Sequence, residues 1–351
     1  MANNINWGKI YESTYWGNTD NNISWGKAYA DLAGVVPALV SEFVSRVEAD
    51  GGSVESTECM STDLTFLVNN PEPVPTPAFT GLLNDYSGAA AAYSLRLLDN
   101  TYSGNAVKVR RSSDNAEQDI AFVNNELDTA TLESFASGTD AFVTTWYDQS
   151  GSGNNATQTT ASSQPQIVSS GSTILENGKA AVELTTASNQ YMNLSNIGFS
   201  SGITNFNVLK PNTSPIFWQY IYIYDGVSNV YGISFSDSAA YDHRNILMGT
   251  KALSNDSISA DFTQQLLSAY YDGSGDSTTD GTMHIDSVNA PLNASRVWGA
   301  VQGASLLGSY PAGSSSNYFK GKIQEVILYD SDQSSNRTGI ETNINDFYSI
   351  Y

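Results

Sequence analysis

Gly321-Lys322-Ile323-Gln324-Glu325-Val326-Ile327-Leu328-Tyr329-Asp330 is the stretch from which the fold is read. β-Branched and aromatic residues fill it while Gly and Asp bound it, which predicts a strand over residues 322–329. Runs of the same texture lie at residues 106–110, 141–147, 180–184, 217–224 and 265–271, each between clusters of Gly, Ser, Asn and Asp. Short strands at that spacing predict a mainly β protein, an antiparallel sandwich or jelly roll. The absence of long βαβ spacing argues against a parallel doubly wound sheet. Two helices interrupt the pattern. One is expected over residues 129–136 with Leu132 and Phe135, and one closes the chain, with Ile340, Ile344, Phe347 and Tyr348 on a single apolar face.

Upstream the texture differs. Pro71, Pro73, Pro75 and Pro77 recur at every second position, favouring an extended linker. The domain reading is therefore a small helical region at 1–70, a Pro-rich linker at 71–79, and the jelly roll at 80–351. In the first region Val36, Leu39, Val40, Phe43, Val44 and Val47 carry helical spacing over 35–50, with Pro37 in the first turn and Gly51-Gly52 as the stop. A second short helix is expected over 54–68. Ahead of both, Asn4-Ile5-Asn6-Trp7-Gly8-Lys9-Ile10-Tyr11 returns as Asn22-Ile23-Ser24-Trp25-Gly26-Lys27-Ala28-Tyr29, with Trp16-Gly17-Asn18 between. So short and polar a segment cannot bury three Trp by itself. Trp7, Tyr11, Trp16, Trp25 and Tyr29 are candidates to anchor it on a partner, or on the chain's own following helices.

Of 351 residues, 15 are Lys or Arg and 36 are Asp or Glu, a net charge of −21. No basic stripe exists to displace phosphate counterions, so nucleic acid is excluded as a partner, and so is an anionic membrane surface. Hydrophobic residues at 40% and aromatics at 11%, with 20 Tyr, suffice for a real core. No stretch has the roughly 18 apolar residues of a membrane span, so no membrane insertion is expected. The amino terminus shows no signal-peptide pattern, and Cys59 is alone, leaving no intrachain disulfide. Folding in a cytoplasm, with release by another route, is the expectation.

Several motifs together resemble a known family. Ala92-Tyr93-Ser94-Leu95-Arg96 with Tyr102-Ser103-Gly104, then Val109-Arg110-Arg111-Ser112-Ser113-Asp114-Asn115-Ala116-Glu117-Gln118-Asp119, and Thr145-Trp146-Tyr147-Asp148-Gln149-Ser150-Gly151 resemble the opening of the arabinofuranosidase B catalytic domain. Gln164-Pro165-Gln166-Ile167 and Asn177-Gly178-Lys179 continue the likeness. The resemblance implies a concanavalin A-like jelly roll, and residues 321–330 look like the closing strand of laminin-G-like domains. The Trp-Gly-Lys repeat and Arg46-Val47-Glu48-Ala49-Asp50-Gly51-Gly52 look like tailed-bacteriophage virion proteins. The reading that follows is a non-enzymatic virion structural protein: a tail fibre, head fibre or capsid decoration protein on the virion surface. It would dock on other virion proteins through residues 1–70, form a homo-oligomer, and display a carbohydrate-binding jelly roll for host attachment. The alternatives are a particle-borne glycoside hydrolase and a decoration protein without ligand.

A retaining glycosidase needs two carboxylates about 5 Å apart. If the chain is an enzyme, Asp114, Glu117 and Asp148 are the candidates within the resembling motifs, with Asp119 nearby. Asp114 and Asp148 lie in turn-like strings, where Asp commonly binds its own backbone. The relatives are rich in disulfides and carry their nucleophile beyond these motifs, where Ser188-Asn189-Gln190-Tyr191-Met192-Asn193 offers no carboxylate. The shared motifs therefore read as scaffold. His243 and His284 read as surface or strand residues, and no G-x-S-x-G, Walker or H-E-x-x-H motif occurs. Trp218, Tyr220, Tyr222 and Tyr224 alternate, and on one strand face they would form a ladder for stacking on a glycan or for burial. Asp272, Asp276 and Asp280 superficially resemble a calcium loop. However, the sixth position is Ser277 rather than Gly and the twelfth is Met283 rather than Glu, so no metal or cofactor is expected, with calcium as the alternative.

Overall fold

The computed structural model describes residues 79–185, 190–194, 197, 202–212, 218–224, 230–238, 241–248, 251–255, 263–271, 281–292, 294–297, 306–308 and 318–351. The chain divides into two compact units, Met1–Ala78 and Phe79–Tyr351, and the second carries every described residue. The expected helices and linker, and Trp7, Tyr11, Trp16, Trp25 and Tyr29, lie outside the described residues. So do Asp272, Asp276 and Asp280.

The antiparallel sandwich is what is found. Every strand pairing among the described residues is antiparallel, and twenty strands join one hydrogen-bonded network. Its axis is the strand Gly321–Tyr329. Along one edge it pairs with Ile203–Pro211, which pairs with Gln265–Tyr271 and then Gly281–Ile285. Along the other edge it pairs with Ala89–Ser94 through its second half and with Val182–Leu184 through its first three residues. From Val182–Leu184 the network continues through Gln166–Ser169, Ala141–Trp146, Val107–Arg111 and Glu117–Ile120. The run expected over 180–184 is split. Lys179–Ala180 pairs back on Leu175–Glu176 in a hairpin, and only Val182–Leu184 joins the main network.

Period-2 burial explains the layers. From the central strands Val326, Leu328, Leu267 and Ala269 enter the main core with Tyr93, Trp146 and Leu184. The alternate residues Ile327, Tyr329, Phe206, Val208 and Leu266 face the other way. Helices cover that second face: α1 (Leu82–Asp85) and, after the helix α2 (Thr129–Ala136), the closing helix α3 (Arg337–Tyr348). Ile340, Ile344 and Tyr348 of α3 are buried there, with Phe347 half-buried beside them. Phe206 meets Tyr329 edge to face, their ring centres 6.2 Å apart.

α2 spans the expected residues because Asp128 caps it, accepting from the Thr131 N–H at 2.9 Å and the Thr131 hydroxyl at 2.7 Å. Two-residue turns with both φ positive close four hairpins, at Asn124-Asn125, Ser170-Gly171, Asn177-Gly178 and Asp286-Ser287. Their twist matches that of the flanking strands.

Candidate functional site

The motifs that carry the sequence resemblance grip one another. Trp146 at the end of its strand donates from Nε1 to the Ser94 carbonyl at 3.3 Å. Gln149 donates to the carbonyls of Ser94 and Arg96 and accepts from the Leu98 N–H at 2.8 Å. Asp148 is 4% exposed and fully engaged. Its Oδ1 accepts from the N–H groups of Ala92 and Ser150, its Oδ2 from the Ser150 hydroxyl and the Asn154 N–H, all within 2.9 Å. A carboxylate with four donors on it and no open face is a turn-builder. It holds residues 148–154 against the Ala89–Ser94 strand.

Asp114 is equally committed, at the surface. It takes a two-pronged ion pair from Arg111 and accepts from the Ala116 N–H at 3.0 Å. The Arg111 hydrogen bond is the main reason its carboxyl sits well below the usual range, with the Ala116 N–H adding to it. Glu117 is exposed at the start of its strand, and Asp119, two residues on, accepts from the Tyr147 hydroxyl at 2.6 Å. Glu117 and Asp119 thus share one strand while Asp114 and Asp148 each build a turn, and of the four only Asp148 is buried.

The resembling motifs also contain a buried charge. Arg96 donates from Nε to Glu325 Oε2 at 2.7 Å and from Nη2 to Oε1 at 2.9 Å. Ser94 and Tyr348 hydroxyls complete the Glu325 shell, and Asn343 accepts from Arg96 Nη1. Glu325 is wholly buried. Burial opposes the Arg96 charge, but the Glu325 carboxylate outweighs it and raises the guanidinium pKa; burial pushes the Tyr348 phenol well up. This knot joins the first strand, the closing strand and α3. Both partners stand in quoted motifs, but nothing local marked them as a pair.

The aromatic candidates lie on the strand Trp218–Tyr224, whose register with Val230–Ser238 shifts between Gln219 and Ile221. His284 stands opposite Ser268 in the Gly281–Ile285 strand. Burial lowers its pKa, Arg337 lowers it further, and Glu341 partly opposes them. Among the described residues no group of three His, Cys, Asp or Glu could hold a metal. Asp237 is the register partner of Asp242 across the hairpin formed by Val230–Ser238 and Tyr241–Met248.

Residues 85–201 match the family model for the catalytic domain of α-L-arabinofuranosidase B. Within the chain, 71 residues are 42% identical to a probable α-L-arabinofuranosidase B of Aspergillus fumigatus, covering 20% of this chain and 14% of that protein. Among solved structures, a mutant GH54 α-L-arabinofuranosidase soaked with 4-nitrophenyl α-L-arabinofuranoside matches at a TM-score of 0.51 and 17% identity, over 73% of this chain and 62% of that one. A GH54 α-L-arabinofuranosidase soaked with a cyclic sulfate inhibitor gives a TM-score of 0.48 at 16% identity, over the same shares of the two chains. The chain thus spans less than two thirds of these proteins, and the structural likeness shows the fold. These matches overturn the expectation of a non-enzymatic tailed-bacteriophage virion protein, whether tail fibre or capsid decoration: the matched family is one of glycosidases. The virion reading rested on the Trp-Gly-Lys repeat and the Arg46–Gly52 stretch, both outside the matched residues, and on a composition of low charge density, polar turns and a lone Cys. Any β-sandwich with polar hairpins shares that composition, because it follows from turn chemistry and surface solvation.

Proposed function

We propose that the unit Phe79–Tyr351 is a glycoside hydrolase domain acting on α-L-arabinofuranosides. One observation carries the reading. The family match at 85–201 falls on the segment whose motifs Tyr93–Arg96 and Trp146–Ser150 lock together through Asp148, Gln149 and Trp146. The similarity therefore marks a shared three-dimensional frame and not a run of common turn residues.

Asp114 and Asp148 of that frame are bound up in turns, so the chemistry has to come from other carboxylates. Opposed residues of an antiparallel pair hold their Cβ atoms about 4.5–5.5 Å apart. A retaining glycosidase needs two carboxyl groups about 5–5.5 Å apart, and so two acids on neighbouring backbone positions. Asp237 and Asp242 occupy such opposed positions, and like charges there are unfavourable unless function or a shared proton retains them. They are the first residues to substitute.

The test is release of 4-nitrophenol from 4-nitrophenyl α-L-arabinofuranoside by the full chain. Hydrolysis is expected, and Asp237→Asn or Asp242→Asn should lower kcat about 100-fold or more while the protein stays folded. A folded chain that cleaves no α-L-arabinofuranoside would overturn the reading. Undiminished activity in both variants would move the chemistry to other carboxylates.

A further inference from the structure

Asn177-Gly178 is the only place in the 351 residues where Asn precedes Gly. That pair is chemically unstable in an open chain. Gly has no Cβ to shield its backbone nitrogen, which can attack the Asn side-chain carbon. Here the pair forms the turn of the hairpin Leu175–Glu176/Lys179–Ala180, with φ of 48° at Asn177 and 76° at Gly178. Both residues are exposed, so water reaches them.

The Asn177 side chain is also a latch. From Nδ2 it donates to the Tyr348 carbonyl at 2.7 Å and to the Ser349 carbonyl at 3.0 Å, at the end of α3. Carbonyls at a helix end lie past the last intrahelical donors and need one from elsewhere. The arms of the hairpin are pinned independently. Lys322 donates to the Leu175 carbonyl at 2.6 Å, and Gln324 Nε2 to the carbonyls of Glu176, Lys179 and Ala180 at 3.1–3.2 Å. Lys179 pairs with Glu126 at 2.8 Å. Asn177 thus ties a fixed hairpin to the helix whose Tyr348 hydroxyl reaches the buried Glu325.

We propose that Asn177 is a self-modification site: deamidation through the Gly178 nitrogen turns the donor that holds the end of α3 into a charged acceptor, and the folded turn delays the reaction. The Gly178 nitrogen bonds to Asn177 Cγ as the Cγ–Nδ2 bond breaks. The Gly178 proton passes to the departing amine, and ammonia leaves behind a cyclic imide. Water then opens the ring. Attack at Cγ gives aspartate, and attack at the Asn177 main-chain carbonyl gives isoaspartate, whose chain runs on through Cγ. One water enters and one ammonia leaves. While Nδ2 holds two carbonyls, the amide is kept off the Gly178 nitrogen, so ring closure waits for the turn to open. After conversion a carboxylate with no donor faces two carbonyl oxygens at the negative end of the helix dipole, and the latch becomes a repulsion. The chemistry needs only water and this turn, whatever the domain hydrolyses.

The experiment ages the full chain in mildly alkaline buffer, once folded and once in guanidinium chloride, and follows peptide masses and isoaspartate content. Conversion at Asn177 is expected to lead all other Asn positions in the unfolded chain and to run about tenfold or more slower in the folded one. Asn177→Asp should lower the thermal midpoint by about 2–4 °C. Asn177→Gly, which keeps the turn but carries neither donor nor charge, should fall less and should not drift on ageing. Folded wild-type protein whose midpoint drifts towards that of Asn177→Asp as product accumulates supports the site. Another Asn converting first, equal rates in the folded and unfolded chain, or an Asn177→Asp midpoint equal to that of the wild type overturns it.

Discussion

Arg96–Glu325 and Arg111–Asp114 are both ion pairs of 2.7 Å, both two-pronged, and both built on an arginine from the motifs that resemble arabinofuranosidase B. They differ in their surroundings. The side chains of the first are 9% and 0% exposed, those of the second 28% and 49%. Arg96 reaches across 229 residues to the closing strand, whereas Arg111 reaches three residues along one turn. Between these extremes stands Glu176, which takes both Lys210 at 2.8 Å and Lys322 at 3.1 Å and is itself 13% exposed. Equal distances thus conceal very different consequences. In water the charges lose little when parted, but in the core either charge left alone is hard to keep.

The largest effect should come from breaking the buried pair on one side only. Glu325→Gln leaves the Arg96 guanidinium buried without its counter-charge and should destabilise by about 3–5 kcal/mol, lowering the thermal midpoint by roughly 10 °C. The double change Arg96→Met with Glu325→Leu sharpens the comparison, because removing both charges should recover most of that loss. If the single variant melts like the wild type, the knot is not what joins the closing helix to the sheet.

Asp148 comes next, a buried carboxylate with no cationic partner. Asp148→Asn turns an amide donor towards donors already in place and should cost about 1–3 kcal/mol in urea denaturation. Hydrolysis per folded molecule should not change. A large fall in kcat with an unaltered midpoint would show instead that Asp148 takes part in the chemistry.

The intermediate case is best read through pH. Burial alone would raise the Glu176 pKa, but the hydrogen bonds from Lys210 and Lys322 more than offset it and the net shift is downward. A carboxylate whose folded pKa lies below its unfolded value of about 4.3 adds stability above that value, and this is lost as pH falls through the folded pKa. The gap in denaturation midpoint between wild type and Glu176→Gln should therefore be present at about pH 6 and close as pH falls below about 4. A gap that widened on acidification would reverse the sign and remove the lysines as its cause.

Asp114→Asn should have the smallest effect, leaving the midpoint where it is, since solvent screens the pair with Arg111 and the amide oxygen can still accept from the Ala116 N–H. A clear loss of stability on that substitution would mean the turn at 111–116 supports more of the sandwich than its exposure implies.

Much of this fold is written locally. The strands found at Val107–Arg111, Ala141–Trp146, Gln265–Tyr271 and Gly321–Tyr329 lie within a residue of the expected runs, because turn residues and β-branched residues act over a few positions. α2 and the apolar face of α3 are legible for the same reason: capping and helical periodicity need no distant partner. The sites were less legible. Trp218, Tyr220, Tyr222 and Tyr224 read as a one-faced ladder, and the register shift between Gln219 and Ile221, which depends on the partner strand, is not legible in that alternation. The groove bounded by residues 123–133, 173–180 and 347–348 was not foreseen, since its walls stand more than 200 residues apart in the chain and meet only on folding. Neither was the facing of Asp237 and Asp242, which follows from hairpin register.

By itself, then, the sequence determined the β-sandwich class, the places of α2 and α3 and the kinship of the motifs at 92–96 and 145–151, because each is set by short-range backbone preference or by residue identity. Only the tertiary structure decided what the charged residues do. Glu325, the one charge in the alternating row with Ile327 and Tyr329, is sealed beneath α3 beside Arg96, and Asp148 is filled by the strand it holds. The free energy of a charge depends on what lies within a few ångströms in space, and neighbours in the chain do not fix that.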